Sequence, residues 1–254
     1  MNSIDRKLTI KSPQEIEKMR ELGKILAAIV DNLAQNIVPN TNLLDLEDKA
    51  QQLCSLYKVN PSCVGYNNYP NAICVGVNEQ AVHCIPQDRK VKAGDIVTID
   101  MVIDRDGWFV DHAVTLLVGN SDKGAELLVN TAYKAMELAI EKAVIDNTTG
   151  DLGYTMESAA TEQGFSVLRE MIGHGIGRAM HEFPPVPCYG KPGEGVGLVE
   201  GMVITIEPMI TEHNPDLEVA SDGWSTKTKD GGRFAMFEHT VAITKSGPFV
   251  LTRQ

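Results

Sequence analysis

IVTIDMVIDRDGWFVDHAVTLLV, residues Ile96–Val118, is largely apolar on both sides of Asp104–Gly107, and both arms are rich in β-branched and aromatic residues. That pattern predicts a β-hairpin with a tight polar turn. If Arg105 and Asp106 form the loop, Asp100 lies directly opposite Asp111. If Asp106 and Gly107 form it, Asp111 pairs with Val102 and sits diagonally from Asp100. Either register points both carboxylates to one face, because side chains alternate along a strand. Like charges facing each other on an apolar sheet are unfavourable unless a proton or a metal lies between them. An aspartate that merely ends a strand suits Asp104 or Asp106. It does not suit Asp100, which is preceded by Ile96–Ile99 and followed by Met101, Val102 and Ile103.

Outward from this hairpin, the 254 residues suffice for a substantial core. The net charge of −11 and the lack of a basic block argue against a nucleic-acid partner. No apolar run is long enough to span a membrane. The N-terminal MNSIDRKLTIKS has no apolar signal core, so no export is expected. Five cysteines without a CxxC pair suggest free thiols in a reducing compartment, the cytoplasm.

Ser12-Pro13-Gln14-Glu15 is a capping box with proline at the first helical position. The following helix carries a stripe from Ile16 to Leu33 and should stop before Pro39. Thr41 is the expected cap of a second helix using Leu43, Leu44, Leu46, Ala50, Leu53 and Leu56. Ala72–Val77 reads as a strand, with a turn at Asn78-Glu79 before Ala81–Ile85. Ser121 is expected to begin a third helix, and a fourth runs roughly from Asp151 to Gln163. Phe165–Met171, Met202–Ile206 and Phe237–Thr244 are the remaining expected sheet segments. Glu182–Gly201, dense in proline and glycine, reads as a long loop at an active-site rim. Thr211–Arg233 reads as a second hairpin.

The order long helix, Asn-Thr connection, shorter helix, strand occurs twice. It supports one α+β catalytic domain, residues 1–254, with pseudo-repeated halves of roughly 12–120 and 121–254 and a ligand site between them.

Three further motifs break the apolar pattern: Gly173-His174-Gly175-Ile176-Gly177, Glu207 at the end of Val203–Ile206, and Glu238 at the start of a strand. A lone histidine is more often structural than a ligand, and each acid alone could end a strand. Together, Asp100, Asp111, His174, Glu207 and Glu238 offer oxygen and imidazole donors without a thiolate. That set suits hard or borderline divalent ions such as Mn²⁺, Fe²⁺ or Co²⁺, with Zn²⁺ also accommodated. Two dications offset four carboxylates better than one. His83 and His181 fall in segments expected to surround such a site, where either could donate to a substrate. His112 and His239 alternate to the opposite strand face. On a turn-rich loop, Tyr66 and Tyr69 read more readily as packing anchors than as pocket walls.

These motifs, taken in order, resemble the type I methionine aminopeptidases of the creatinase-like pita-bread superfamily, over nearly the full length. The resemblance implies pseudo-twofold halves with helices outside a curved, mainly antiparallel sheet. It implies that Asp100, Asp111, His174, Glu207 and Glu238 hold two divalent metal ions. Glu207 would also handle the proton of the attacking water, His181 would hydrogen-bond the scissile carbonyl, and His83 would contact the substrate near its amine or peptide group. It turns Tyr66 and Tyr69 into pocket residues, together with Cys63, Cys74, Met180 and Trp224. The implied reaction is release of the initiator methionine from nascent chains and methionyl peptides whose second residue is small.

Cys84, Asn68, Met236 and Met180 depart from the family's commonest residues, and none of them is an implied metal ligand. The resemblance further implies a monomer and leaves room for transient ribosome contact through the catalytic domain. An X-Pro peptidase of the same superfamily and a non-catalytic peptide-binding module are the competing readings. The short chain and pocket loop disfavour the first, and the complete ligand set disfavours the second.

Overall fold

A computed structural model describes residues 7–254. The expectation about export falls partly on residues 1–6, outside the described residues. Among the described residues, no helix is long and apolar enough to cross a membrane.

The hairpin forms as strands β3, Ile96–Arg105, and β4, Trp108–Leu117. Asp106 and Gly107, both at positive φ, make the turn. Asp111 therefore pairs with Val102, and Asp100 with Ala113. Of the two registers open to the sequence, the diagonal one is adopted.

The hairpin lies within a nine-stranded sheet. On one side β3 pairs with β1, Asn60–Pro61, and β2, Cys74–Val77. On the other, β4 pairs with β13, Glu238–Thr244, which also carries β14, Gly247–Val250. Beyond β13 lie β8 (Val203–Ile206), β6 (Gly173–Gly175) and β7 (Glu182–Val186). Every ladder is antiparallel, and the sheet curls into a half-barrel.

Helix α1, Pro13–Gln35, begins at the capping box on Ser12 and lies against β3 and β4. Its stripe, with α2 (Leu43–Tyr57), meets Val97, Ile99, Met101 and Ile103. Helices α3, Lys123–Lys142, and α4, Thr149–Thr161, form a second cluster with Ile204, Ile206, Met209 and Phe234. Since odd-numbered β3 residues face α1 and α2, Asp100 and Val102 face away from those helices. The ladders carry that parity across the sheet and align Asp111, Glu238 and Thr205 with them.

The structure moves several expected boundaries. Asn42, not Thr41, caps α2, accepting from the Leu44 amide, while the Thr41 hydroxyl turns back to donate to the Asn36 carbonyl. Leu44 and Leu56 are exposed. Glu47 is instead buried on the core-facing side of α2, beside Leu43, Leu46 and Ala50, because it accepts from the Ala72 and Ile73 amides. Asp122, rather than Ser121, caps α3, and Thr148 with Asp151 makes a capping box for α4.

Ala81–Ile85 is no regular strand, because its bonds to Thr226 are partly side-chain bonds. Thr226 lies in β11, Thr226–Thr228, which pairs with β10, Leu217–Val219, as the expected second hairpin. Only Ser166–Val167 of Phe165–Met171 is a strand. As β5 it joins a separate sheet with β9, Met209–Thr211, and β12, Phe234–Met236. The start of the presumed rim loop forms β7 despite Pro184 and Pro185, which an edge position tolerates.

Candidate metal centre

Strands β3, β4, β13 and β6 carry Asp100, Asp111, Glu238 and His174, and Glu207 directly follows β8, which lies between β13 and β6. Ligand atoms of Asp111, His174 and Glu238 all lie within 4.8 Å of one another. His174 Nε2 stands 3.8 Å from Glu207 Oε1 and 4.0 Å from Asp111 Oδ2. Asp100, which faces the same side of the hairpin, lies close enough to Asp111 to repel its charge, and this ties the fifth residue to the group.

Threonines hold this constellation where the backbone ladders are short. The Thr205 hydroxyl accepts from the His174 amide at 2.9 Å and donates to Glu207 Oε1 at 2.7 Å. Thr240 accepts from the Asp111 amide and donates to the Asp111 carbonyl, both at 2.9 Å. The sequence reading did not single out either residue. Their signal was parity: Thr205 is two residues before Glu207, and Thr240 two after Glu238, on the same strand face.

His174 Nδ1 lies 2.9 Å from the Gly175 carbonyl. Donation there leaves the Nε2 lone pair toward the acids. The flanking glycines admit neighbouring strands. A Cβ on Gly175 would come within 2.5 Å of the Phe183 carbonyl oxygen.

The electrostatics are those of a site lacking positive charge. Burial, then repulsion from Asp100 and Glu207, raises Asp111 well above the ordinary carboxylate value. Burial, then Asp111 and the other acids, does the same to Glu238. Burial raises Asp100 to about 6 and Glu207 to about 8. Burial, reinforced by His181 and His83, lowers His174 to about 3.

Among the described residues, no lysine or arginine forms an ion pair with these four carboxylates. Asp111 Oδ1 and Glu238 Oε1 are buried without hydrogen-bond partners. Orphaned anionic oxygens are costly in a dry interior, and divalent cations would satisfy them. The donor set thus fits divalent metal, without selecting which one.

Two of the other proposed residues, His181 and His83, lie near enough to His174 to act on its charge. The His181 ring lies 4.3 Å from the His174 ring, centroid to centroid, and its Nδ1 is 2.8 Å from the Tyr66 hydroxyl. Burial lowers His181 to about 4 and also lowers His83. His83 occupies the left-handed region, with φ at 58°, and its ring stands edge-on to Trp224. Tyr69 also meets Trp224 edge-on, and its hydroxyl donates to the Ile73 and Cys84 carbonyls. Tyr69 is therefore a packing anchor, as its loop composition suggested.

Cys74 pairs with Asp100 across the ladder. Met180 is buried yet belongs to neither hydrophobic cluster. His112 and His239 stack on the opposite face, 4.7 Å apart, in a cleft with Ala27 and Met136.

The chain is similar to known proteins over nearly its whole length. The sequence profile of metallopeptidase family M24 matches residues 17–245. Methionine aminopeptidase A of Synechocystis sp. is 41% identical, the match covering 96% of this chain and 97% of the relative. The crystal structure of methionine aminopeptidase from Thermotoga maritima superposes with a TM-score of 0.95 at 39% identity, covering 98% of this chain and 100% of that one. Prolidase from Pyrococcus furiosus shares the fold, with a TM-score of 0.78 at 23% identity, covering 96% of this chain and 65% of that one. By sequence and by fold, the chain belongs to metallopeptidase family M24.

Proposed function

We propose that this chain removes the N-terminal methionine from nascent proteins and methionyl peptides whose second residue is small. The observation carrying the reading is the buried group of four acids and one imidazole, with His181 packed against His174 and held by the Tyr66 hydroxyl. Asp100, Asp111, His174, Glu207 and Glu238 would hold two divalent cations. When bound, the cations supply positive charge that polarises the scissile carbonyl and makes water nucleophilic at neutral pH.

The chain's own groups do the rest. Glu207 Oε1 is engaged by Thr205, so Oε2 is the oxygen free to take a proton from the attacking water and return it to the leaving amine. The Tyr66 hydroxyl donates to His181 Nδ1 in this reading, 2.8 Å away. His181 then carries its proton on Nε2, where it can be donated to the carbonyl oxygen as negative charge develops. His83, neutral through burial, contacts the substrate near its amine or peptide group. Cys63, Tyr66, Tyr69, Cys74, Met180 and Trp224 enclose the methionine side chain. Met180 fills the pocket with a flexible thioether.

The chain acts as a single catalytic unit whose halves, roughly 12–120 and 121–254, face each other across the site. It works as a monomer in the cytoplasm on nascent polypeptide N-termini, in transient contact with the ribosome. The test is hydrolysis of a Met-Xaa-Ser series beside Xaa-Pro peptides. Turnover should be greatest with alanine or glycine second and fall as that residue grows. Preference for Xaa-Pro peptides would refute the reading.

A further inference from the structure

Lys11 and Glu182 form the one lysine- or arginine-carboxylate pair, among the described residues, in which both side chains are less than a tenth exposed: 3% and 7%. A buried pair is seldom worth more to stability than apolar packing of the same volume. Its geometry here is directed at one loop. Glu182 Oε1 accepts from the Arg178 amide at 2.6 Å and the Ala179 amide at 3.1 Å, closing a turn around Met180 and His181. Glu182 Oε2 accepts from Lys11 Nζ at 2.6 Å and from the Thr9 hydroxyl. Lys11 Nζ in turn donates to that hydroxyl at 2.6 Å.

The Lys11 stem lies against Gly177, where a Cβ would come within 2.3 Å of Lys11 Cε. The other side of the loop is fixed too. Its Gly177 carbonyl accepts from the Phe109 amide at 2.8 Å, and the Arg178 guanidinium lies 3.5 Å over the Trp108 ring. The Lys11 amide donates to the Gly201 carbonyl at 2.8 Å, just before Ser12 caps α1.

From this arrangement we propose that Lys11 and Glu182 are positioning residues for the reaction: the extended segment ahead of α1 sets the placement of His181. Tyr66 fixes the ring at Nδ1, while Glu182 fixes the backbone that carries it. Lys11 keeps the Glu182 carboxylate ionised and aimed at the turn. Removing the ammonium leaves a buried anion with one hydroxyl partner beyond the turn, and the turn must shift to solvate it. Small displacements of a polarising group cost rate rather than ground-state affinity.

The inference rests on the role proposed for His181, so the experiment separates the two. Lys11→Met and Glu182→Gln are compared with wild type in metal-loaded enzyme on Met-Ala-Ser, with KM, kcat, metal stoichiometry and Tm recorded. Thr9→Val, a milder lesion at the same carboxylate, is included in case the buried variants fold poorly. The expected result for Lys11→Met is a kcat lower by about 10- to 100-fold, with KM and metal stoichiometry nearly unchanged. Thr9→Val should lose less in the same parameter.

The decisive arm repeats Lys11→Met in a His181→Ala background, where the further loss should disappear because the placed group is gone. Full kcat in Lys11→Met and Thr9→Val, or an undiminished Lys11→Met loss without His181, overturns the positioning role while leaving that of His181 intact. Wild-type kcat in His181→Ala itself would overturn both.

Discussion

Stripping the metal should make this protein lose stability as the pH rises above about 6.5, the reverse of what ordinary paired carboxylates produce. The perturbation is chelation followed by titration. Burial raises Glu207 from 4.5 to about 8, and holds Asp111 and Glu238 well above the ordinary carboxylate range with the help of neighbouring acids. A carboxyl raised in the folded state binds its proton there but not in the unfolded chain. Its contribution is fully present below the unfolded value and is lost as pH climbs through the folded one. One such proton costs about 1.4 kcal/mol per pH unit, so Glu207 alone removes roughly 2 kcal/mol between pH 6.5 and 8, and three carboxyls at most roughly 6.

The buried histidines act oppositely and set the lower edge of the window. His174 lies near about 3, His112 and His181 near about 4, and His239 near about 2. These lowered groups stabilise above about pH 6.5, the unfolded histidine value, and that gain is lost as pH falls toward their folded values. Metal-free protein should therefore be most stable near about pH 6. By urea melts and scanning fluorimetry, its Tm should fall by at least about 4 °C from pH 6.5 to 8. Adding Mn²⁺ should abolish the decline, because the cations replace the retained protons. A metal-free stability that is flat or rising over that interval would refute the electrostatic account of the site.

Glu207→Gln should lower kcat by about 10²–10⁴-fold with the pocket intact; near-normal turnover in metal-loaded variant would remove its proton-handling role. His181→Ala should retain metal and KM while losing about 10²-fold or more in kcat, measured on Met-Ala-Ser. Tyr66→Phe keeps the ring wall but removes the bond to Nδ1. It should lower kcat with little change in KM, and nitrogen NMR of labelled His181 should show loss of the single Nε2–H tautomer. Gly175→Ala, which drives a methyl into the Phe183 carbonyl, should cost about 1–3 kcal/mol in urea melts; an unchanged midpoint would show that β6 and β7 can part freely.

Much of the site was legible because strand parity is rigid. Two aspartates on a hairpin share a face in either plausible register, and the same rule places Glu238 beside them once β13 pairs with β4. The register itself needed the turn, since Arg105-Asp106 and Asp106-Gly107 are both acceptable loops; Gly107 at positive φ decided it. The helix stripes were readable, but their caps slipped by a residue where Thr41-Asn42 and Ser121-Asp122 offered two candidates side by side. The β7 strand was hidden by its prolines, which forbid a sheet interior but not an edge. Lys11 and Glu182, 171 residues apart, carry no local signal of their pairing. For Tyr66 and Tyr69, composition favoured packing, and only family resemblance suggested a pocket. Tyr69 turned out to have its hydroxyl fully engaged by backbone, whereas Tyr66 is held by His181.

The most direct measurement is a calorimetric titration of Mn²⁺ or, anaerobically, Fe²⁺ into metal-free protein, with Met-Ala-Ser hydrolysis followed at each addition. Binding should saturate at two cations per chain, hydrolysis should appear only as they bind, and Asp111→Asn should lose both. Undiminished hydrolysis by the chelated protein, or cations that bind without calling up any peptidase activity, would contradict the account.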